Sequence, residues 1–397
     1  MATPEPSSLS RRKWLQLAAL TGGAIGLAPI AASASHNESR DARGLVGCTD
    51  EFYPESPAGA APLIRLGANE NPYGPSEAAR LAASAALSSG GRYAYAAAMD
   101  LAATIAAREG VNQNQVLVGA GSKDLLALIA LSLAGKPGGQ FVSPDPTYNF
   151  LLTAGEGISA RWDRVKLTDT HNVDLAALAG AVTDSTRLVY LCNPHNPTGT
   201  YLPSANLHSF IKEVSTKTTV VVDEAYLEFI PEENYESCVP LVKQGNNVMV
   251  VRTFSKVHGM AGLRVGYVIS TPDNIARLTR TATVPAMNLS VASVAAAKAS
   301  LNDVAFMADV VRRNADVREG FVRELSAMGI RSIPSVANFI AFELPEQKAD
   351  FKKAMVELGY AVNDFAYRKA TYGRVSIGTQ AEMASFVPVL RKWWQAT

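Results

Sequence analysis

The chain has 397 residues, 48% hydrophobic and 18% charged, enough apolar material for a large core and for two domains or one large domain with a satellite. Its 37 Lys and Arg against 36 Asp and Glu leave a net charge of +1. No global field therefore points to nucleic acid or to an anionic membrane surface, and any such binding would have to be local. Three cysteines, Cys48, Cys192 and Cys238, cannot all pair and none has metal-ligand spacing, so neither a disulfide framework nor a metal is implied.

In chain order, the first 34 residues stand apart. Arg11 and Arg12 precede an uncharged run from Trp14 to Ala34 that ends in Ala32-Ser33-Ala34. This is the pattern of a twin-arginine signal peptide over residues 1–34, which implies export to the periplasm or another extracytoplasmic space and no stable membrane association after cleavage. Gly22, Gly23, Gly26 and Pro29 argue against a retained membrane span. The twin-arginine route resembles one that exports folded proteins, often with a cofactor already loaded. Residues 35–62 mix Pro, Gly, Ser and charge without a period and read as a linker or N-terminal arm. "LVGC" at 45–48 looks like a lipid-attachment site, but Glu38, Arg40, Asp41 and Arg43 separate it from the apolar run and the reading is rejected.

Short apolar runs then alternate with helical stretches. The runs "QVLVGAGS" (115–122), "GQFVSPDPTY" (139–148), "TRLVYLCNPHNPTG" (186–199), "TTVVVDEAYLEF" (218–229), "NNVMVVRTFSK" (246–256) and "LRVGYVIS" (263–270) are apolar on both faces. Strands of that kind belong to a mainly parallel sheet covered by helices on both faces, an α/β domain. "SKDLLALIALSLAG" (122–135) predicts a helix with Leu125, Leu128, Ile129 and Leu131 near one face and Gly135 as its stop. From about Pro285 the texture becomes long helices, then a strand "ANFIAFEL", a helix and a strand "GRVSIGT", a smaller α+β C-terminal domain.

Ligands of open parallel sheets sit beyond the carboxyl ends of the strands. The polar residues at those ends should therefore converge: Gly121 and Ser122, Tyr148, Asn193 and Asn196, Asp223 and Tyr226, Ser255 and Lys256. "GAGSKD" at 119–124 is a glycine turn opening a helix, whose free N–H groups and dipole suit a single phosphate. Ser255 and Arg264 can hold the same phosphate from the other side. Asp223 ends a strongly apolar run, where a carboxylate is unfavourable unless it meets a cation such as a protonated pyridine nitrogen. Lys256, at another apolar strand end, can act as an amine toward an aldehyde. Phosphate, pyridinium and aldehyde together describe pyridoxal 5′-phosphate.

These residues also match a family. "ANENPYGPS" (68–76), "GAGSKD", "DPTY" (145–148), "CNPHNPTG" (192–199), "VVDEAYLEF" (221–229), "RTFSK" and "GLRVGY" (262–267) resemble, in order, the motifs of class I/II, fold-type I aminotransferases, with the histidinol-phosphate aminotransferase branch nearest. The resemblance runs from about Leu63 to the C-terminus. It implies residues 63–90 as a segment packing with the small domain, 91–285 as the large cofactor-binding domain and 286–397 as the small domain. Lys256 would hold the cofactor as a Schiff base and move the substrate's proton, and Asp223 would keep the ring nitrogen protonated. Tyr226 and Asn196 would hydrogen-bond the ring hydroxyl, and Tyr148 would stack on the ring. Gly121, Ser122, Lys123, Ser255 and Arg264 would cradle the phosphate, Lys123 chiefly through its backbone. Tyr93 would reach the phosphate of a partner subunit, making the protein a homodimer. Asn71 and Tyr73 fall in the segment that lines the substrate side. His195 and His258 are read as structural.

Arg374 in "YGRVSIGT" matches the small-domain arginine that binds a substrate's anionic group. Histidinol-phosphate enzymes usually carry a second arginine nearby, in a pattern like "VRD"; this chain has "AVNDF", with Asn363 at that place. Charge-assisted bonds contribute about 1.5–3 kcal/mol each, so phosphate binding should weaken considerably unless Arg368 or Lys369 compensates. The expectation is a transaminase moving an amino group from an α-amino acid to a 2-oxo acid. Histidinol phosphate is the alternative donor, and decarboxylases and cyclases resemble the same scaffold.

Overall fold

The computed structural model describes residues 62–135, 139–231, 233, 235–281 and 288–396. The twin-arginine segment, Cys48, the arm through Ala61 and the expected domain boundary at 285 lie outside the described residues. Among them are twelve strands: β1 (Ile64–Arg65), β2 (Val116–Gly119), β3 (Gln140–Asp145), β4 (Arg161–Lys166), β5 (Thr186–Cys192), β6 (Thr219–Asp223), β7 (Val248–Thr253), β8 (Gly266–Ile269), β9 (Phe339–Leu344), β10 (Tyr360–Ala361), β11 (Asn363–Tyr367) and β12 (Ala370–Ser376).

Seven of them form one sheet in the order β2-β8-β7-β6-β5-β3-β4. Strands β3 to β7 pair in parallel, while β8 is antiparallel to both β7 and β2. Val220, Val221 and Val222 of β6 and Val248 to Val251 of β7 are wholly buried, because helices cover both faces of these central strands. Strand β4, "RWDRVK", escapes a search for apolar runs. It is an edge strand with no buried residue, where charge is expected because it discourages pairing with other chains. The helix Ser122–Ala134 buries Leu125, Leu126, Leu128, Ile129 and Leu133, but Leu131 is 51% exposed. This corrects the expected face: at 3.6 residues per turn Leu131 falls on the side opposite Ile129.

The C-terminal domain is a three-stranded antiparallel sheet, β11-β12-β9, packed on the helices Val304–Ala327 and Gln380–Gln395 through Phe321, Leu325, Phe342 and Phe386. The N-terminal segment joins this domain: β1 pairs in parallel with β10, and the Ser376 amide donates to the Leu66 carbonyl at 2.8 Å. Residues 66–70 are thereby carried to the carboxyl edge of the large sheet. Because β8 runs against its neighbours, its first residues lie at that same edge.

Candidate active site

Lys256 follows β7 by three residues and is half-buried. Its Nζ donates to the carbonyls of Ala68 at 3.2 Å and Asn69 at 2.9 Å and lies 5.4 Å from the centre of the Tyr226 ring. Burial lowers its pKa to about 8; the Arg374 charge acts in the same direction, while Glu70 and Asp223 oppose it. Asn69 is the hub of this corner. It sits at φ +53°, a left-handed conformation that Asn tolerates better than most residues. Its N–H donates to Ser376 Oγ, Ser376 Oγ donates back to its Oδ1, and its Nδ2 donates to the Tyr226 hydroxyl.

Asp223 closes β6 and is 2% exposed. Its carboxylate accepts from the Ala225 amide at 3.1 Å and from the Tyr190 hydroxyl at 3.3 Å and has no ion pair among the described residues. Burial raises its pKa to about 7. The Tyr226 oxygen accepts from Asn196 Nδ2 at 3.2 Å as well as from Asn69, and burial pushes the phenol well above its ordinary range. Asn196 uses its other end to accept from Arg374 Nη1 at 2.7 Å, and Arg374 Nη2 donates to the Gly67 carbonyl at 2.9 Å. One hydrogen-bonded chain thus runs from the buried Arg374 through Asn196, Tyr226 and Asn69 to Lys256. Tyr148, half-buried, packs on the apolar cluster that includes Tyr190 and Tyr226.

The phosphate-type cradle depends on two glycines. Gly121, at φ +94°, caps the helix Ser122–Ala134, and a Cβ there would lie 2.4 Å from Arg264 Nη2. A Cβ on Gly266 would lie 2.5 Å from the Ser122 nitrogen. Their absent side chains let β8 and the Arg264 guanidinium close on the free N–H groups of the helix start. Ser255 is buried and its Oγ accepts from Thr253 Oγ1 at 3.0 Å. The Lys123 side chain turns away, its Nζ 4.4 Å from the centre of the Phe150 ring.

Other expected residues lie off this centre. Asn71 donates through Nδ2 to the Val257 carbonyl and accepts from the Tyr73 amide, which braces the lysine loop. The Tyr73 ring meets the Arg313 guanidinium at 5.0 Å. Tyr93 is 80% exposed. His195 and His258 are buried beside Thr198 and Ser300, and burial takes both to a pKa of about 3. Asn363 stands in register with Arg374 on the neighbouring strand. Arg368 is engaged elsewhere, with Asp169 at 2.8 Å and the Leu167 carbonyl at 3.2 Å, and Lys369 is exposed. Asn69 and Tyr190 escape sequence reasoning. Tyr190 carries one signal, a hydroxyl inside an otherwise apolar strand; Asn69 lies in a motif whose next asparagine drew the attention.

The donor set fits pyridoxal phosphate. A guanidinium and helix amides face one place, and a buried carboxylate without a cation waits at another, with a lysine of lowered pKa nearby. The class I and II aminotransferase family model matches residues 61–390. A histidinol-phosphate aminotransferase from Moorella thermoacetica is 34% identical over 338 residues, covering 84% of this chain and 86% of that protein. One from Ralstonia nicotianae is 35% identical over 336 residues, covering 83% and 88%. The crystal structure of histidinol-phosphate aminotransferase from Sinorhizobium meliloti in complex with pyridoxal-5′-phosphate superposes with a TM-score of 0.77 at 29% identity, covering 83% of this chain and 90% of that one. The chain belongs to the class I and II aminotransferases, and is a transaminase that works with pyridoxal 5′-phosphate.

Proposed function

We propose that this transaminase takes its amino group from an α-amino acid whose carboxylate lies on Arg374, and passes it to a 2-oxo acid held in the same way. When bound, pyridoxal phosphate supplies an aldehyde for the lysine amine and a ring that draws electrons from the substrate's Cα. The chain's own residues do the rest. Arg264, Ser255 and the amides at Ser122 and Lys123 would grip the phosphate, Asp223 would share its proton with the ring nitrogen, and Tyr148 would cover the ring. Asn196 and Tyr226 would fix the ring oxygen. Lys256 Nζ, with a pKa of about 8, is close to neutral pH and suited to both nucleophilic attack and proton transfer at Cα.

The observation that carries the substrate reading is the pairing of Asn363 with Arg374. A phosphate dianion placed there meets one guanidinium, since Arg368 is turned to Asp169. Histidinol phosphate is the second reading, and the names of the relatives favour it. A panel of amino donors assayed with several 2-oxo acids decides: turnover of α-amino acids is expected, and histidinol-phosphate turnover without any amino-acid turnover would reverse the order. Asn363→Arg should lower the KM for histidinol phosphate about tenfold or more, the worth of one charge-assisted bond.

We further propose a homodimer, with Tyr93 crossing to the partner's cofactor, and export by the twin-arginine leader. Leu81, Leu87, Tyr95 and Met99 lie exposed near Tyr93 in sequence and support the first. Residues 1–34 fused to a reporter test the second, and a reporter that stays in the cytoplasm refutes it.

A further inference from the structure

Asn338, just before β9, is 2% exposed, and its Nδ2 donates to the Asn69 carbonyl at 3.0 Å. That carbonyl oxygen is the one that takes Lys256 Nζ at 2.9 Å. The amide cannot be flipped, because its oxygen would then face a carbonyl oxygen. Asn338 Oδ1 therefore points elsewhere, and among the described residues it has no hydrogen-bond partner. Asn314, on the helix Val304–Ala327, is 5% exposed, and its Oδ1 is also without a partner there. Both line one small cavity with Asn71, Tyr73 and Phe229, which offers about 10 Å³ for the centre of a water molecule, the room of a single water. Two unpartnered acceptors on residues that line one such space are matched by a single molecule with two donors.

We propose that Asn338 is a positioning residue for the Lys256 amine, acting through the Asn69 carbonyl, and that one buried water donating to Asn314 and Asn338 fixes its amide. Asn338 also receives the Ile377 amide on its backbone carbonyl at 2.8 Å. It therefore fastens the left-handed turn at Asn69 to the C-terminal domain and keeps two carbonyls aimed at Nζ. The inference rests on Lys256 being the cofactor lysine, and its test separates the two.

The full chain, stripped of cofactor, is treated with an amine-acylating reagent across a pH series, and modification of Lys256 is followed by mass spectrometry. The charges facing Nζ, namely Arg374, Glu70 and Asp223, together with the Cys192 thiol, are the same in wild type and variants. Asn338→Ala should let the carbonyls drift from the ammonium, so that the inflection falls by about half to one pH unit. Asn314→Leu, which fills the cavity, should move it the same way. The second measurement is ligand binding. Attachment of pyridoxal phosphate, followed at a pH above both inflections so that the amine is free in each protein, should slow several-fold in Asn338→Ala, while pyridoxine phosphate, which has no aldehyde, should bind as in wild type. Loss of both would mean general misfolding and would overturn the positioning role, as would an unmoved or raised inflection. An inflection unmoved in Asn314→Leu alone, or one that changes between sodium and potassium at fixed ionic strength, would overturn the water. If wild type binds neither phosphate ester, the cofactor reading fails, and the amine titration still decides the role of Asn338.

Discussion

Asp223, buried, and Lys256, half-buried, each make the cofactor-free protein sensitive to pH. Asp223 has its pKa raised by burial to about 7, so the folded chain holds a proton that the unfolded chain releases near pH 4. Its contribution to stability is whole below that and is lost as pH rises to about 7. Lys256 is lowered to about 8, so its contribution is whole above about 10.5 and is lost as pH falls to about 8. Urea unfolding of the stripped protein should therefore show wild type losing stability relative to Asp223→Asn between about pH 4 and 7, and gaining it relative to Lys256→Met between about pH 8 and 10.5, a comparison in which the shifts of His195, His258, Glu228 and the two buried thiols cancel. In the loaded enzyme, Lys256→Ala should abolish the cofactor's lysine-bound absorbance and lower kcat by about 10²–10⁴-fold or more. Lys256, Asp223 and Asn196 were legible because each is a polar residue beyond the end of an apolar run, and Arg264 because it stands just before one. Asn69 was not, since its importance lies in a backbone carbonyl and a φ of +53°, and neither leaves a mark on side-chain type. Asn338 was hidden in the same way, as the first polar residue before a strand.

At the level of elements, the site depends on how closely backbones approach. Gly121→Ala would place a methyl against the mobile tip of Arg264 and would force a left-handed φ on alanine. Pyridoxine-phosphate affinity should fall about tenfold, with about 1–3 kcal/mol of destabilisation. Gly266→Ala meets backbone atoms of Ser122 and Gly121 instead, which cannot swing aside. It should cost about 1–3 kcal/mol of stability through overpacking and displace the helix from the sheet, read as a lower denaturant midpoint. Behind the site, Arg252 of β7 joins Glu109 at 2.7 Å and Glu224 at 3.0 Å, all largely buried. Arg252→Leu strands both carboxylates and should destabilise by about 3–5 kcal/mol. The central strands were readable from their continuous apolar runs. The polar edge strand β4 and the reversed direction of β8 were not, because strand direction is set by pairing partners and not by local composition.

For the whole molecule, the face bearing Tyr93 is the one to test for association. If the proposed homodimer forms there, Leu87→Asp should yield a monomer in sedimentation, and Tyr93→Phe should remain dimeric while holding the cofactor phosphate less tightly. Two sheets of different design meet at the candidate active centre: the large one delivers Asp223, Asn196 and Lys256, the small one Arg374 and Ser376, and the segment 66–70 stitches them together. The chain of contacts from Arg374 to Lys256 then has a consequence for binding order. Burial first, and the guanidinium second, hold the amine's proton loosely; an anion docked on Arg374 cancels the second influence and makes the amine more basic. By reciprocity, a protonated amine must in turn tighten the grip on that anion. If the substrate carboxylate docks on Arg374 as proposed, its recognition and lysine protonation are one coupled equilibrium, and a simple dicarboxylate should bind the stripped enzyme more weakly as the solution becomes alkaline.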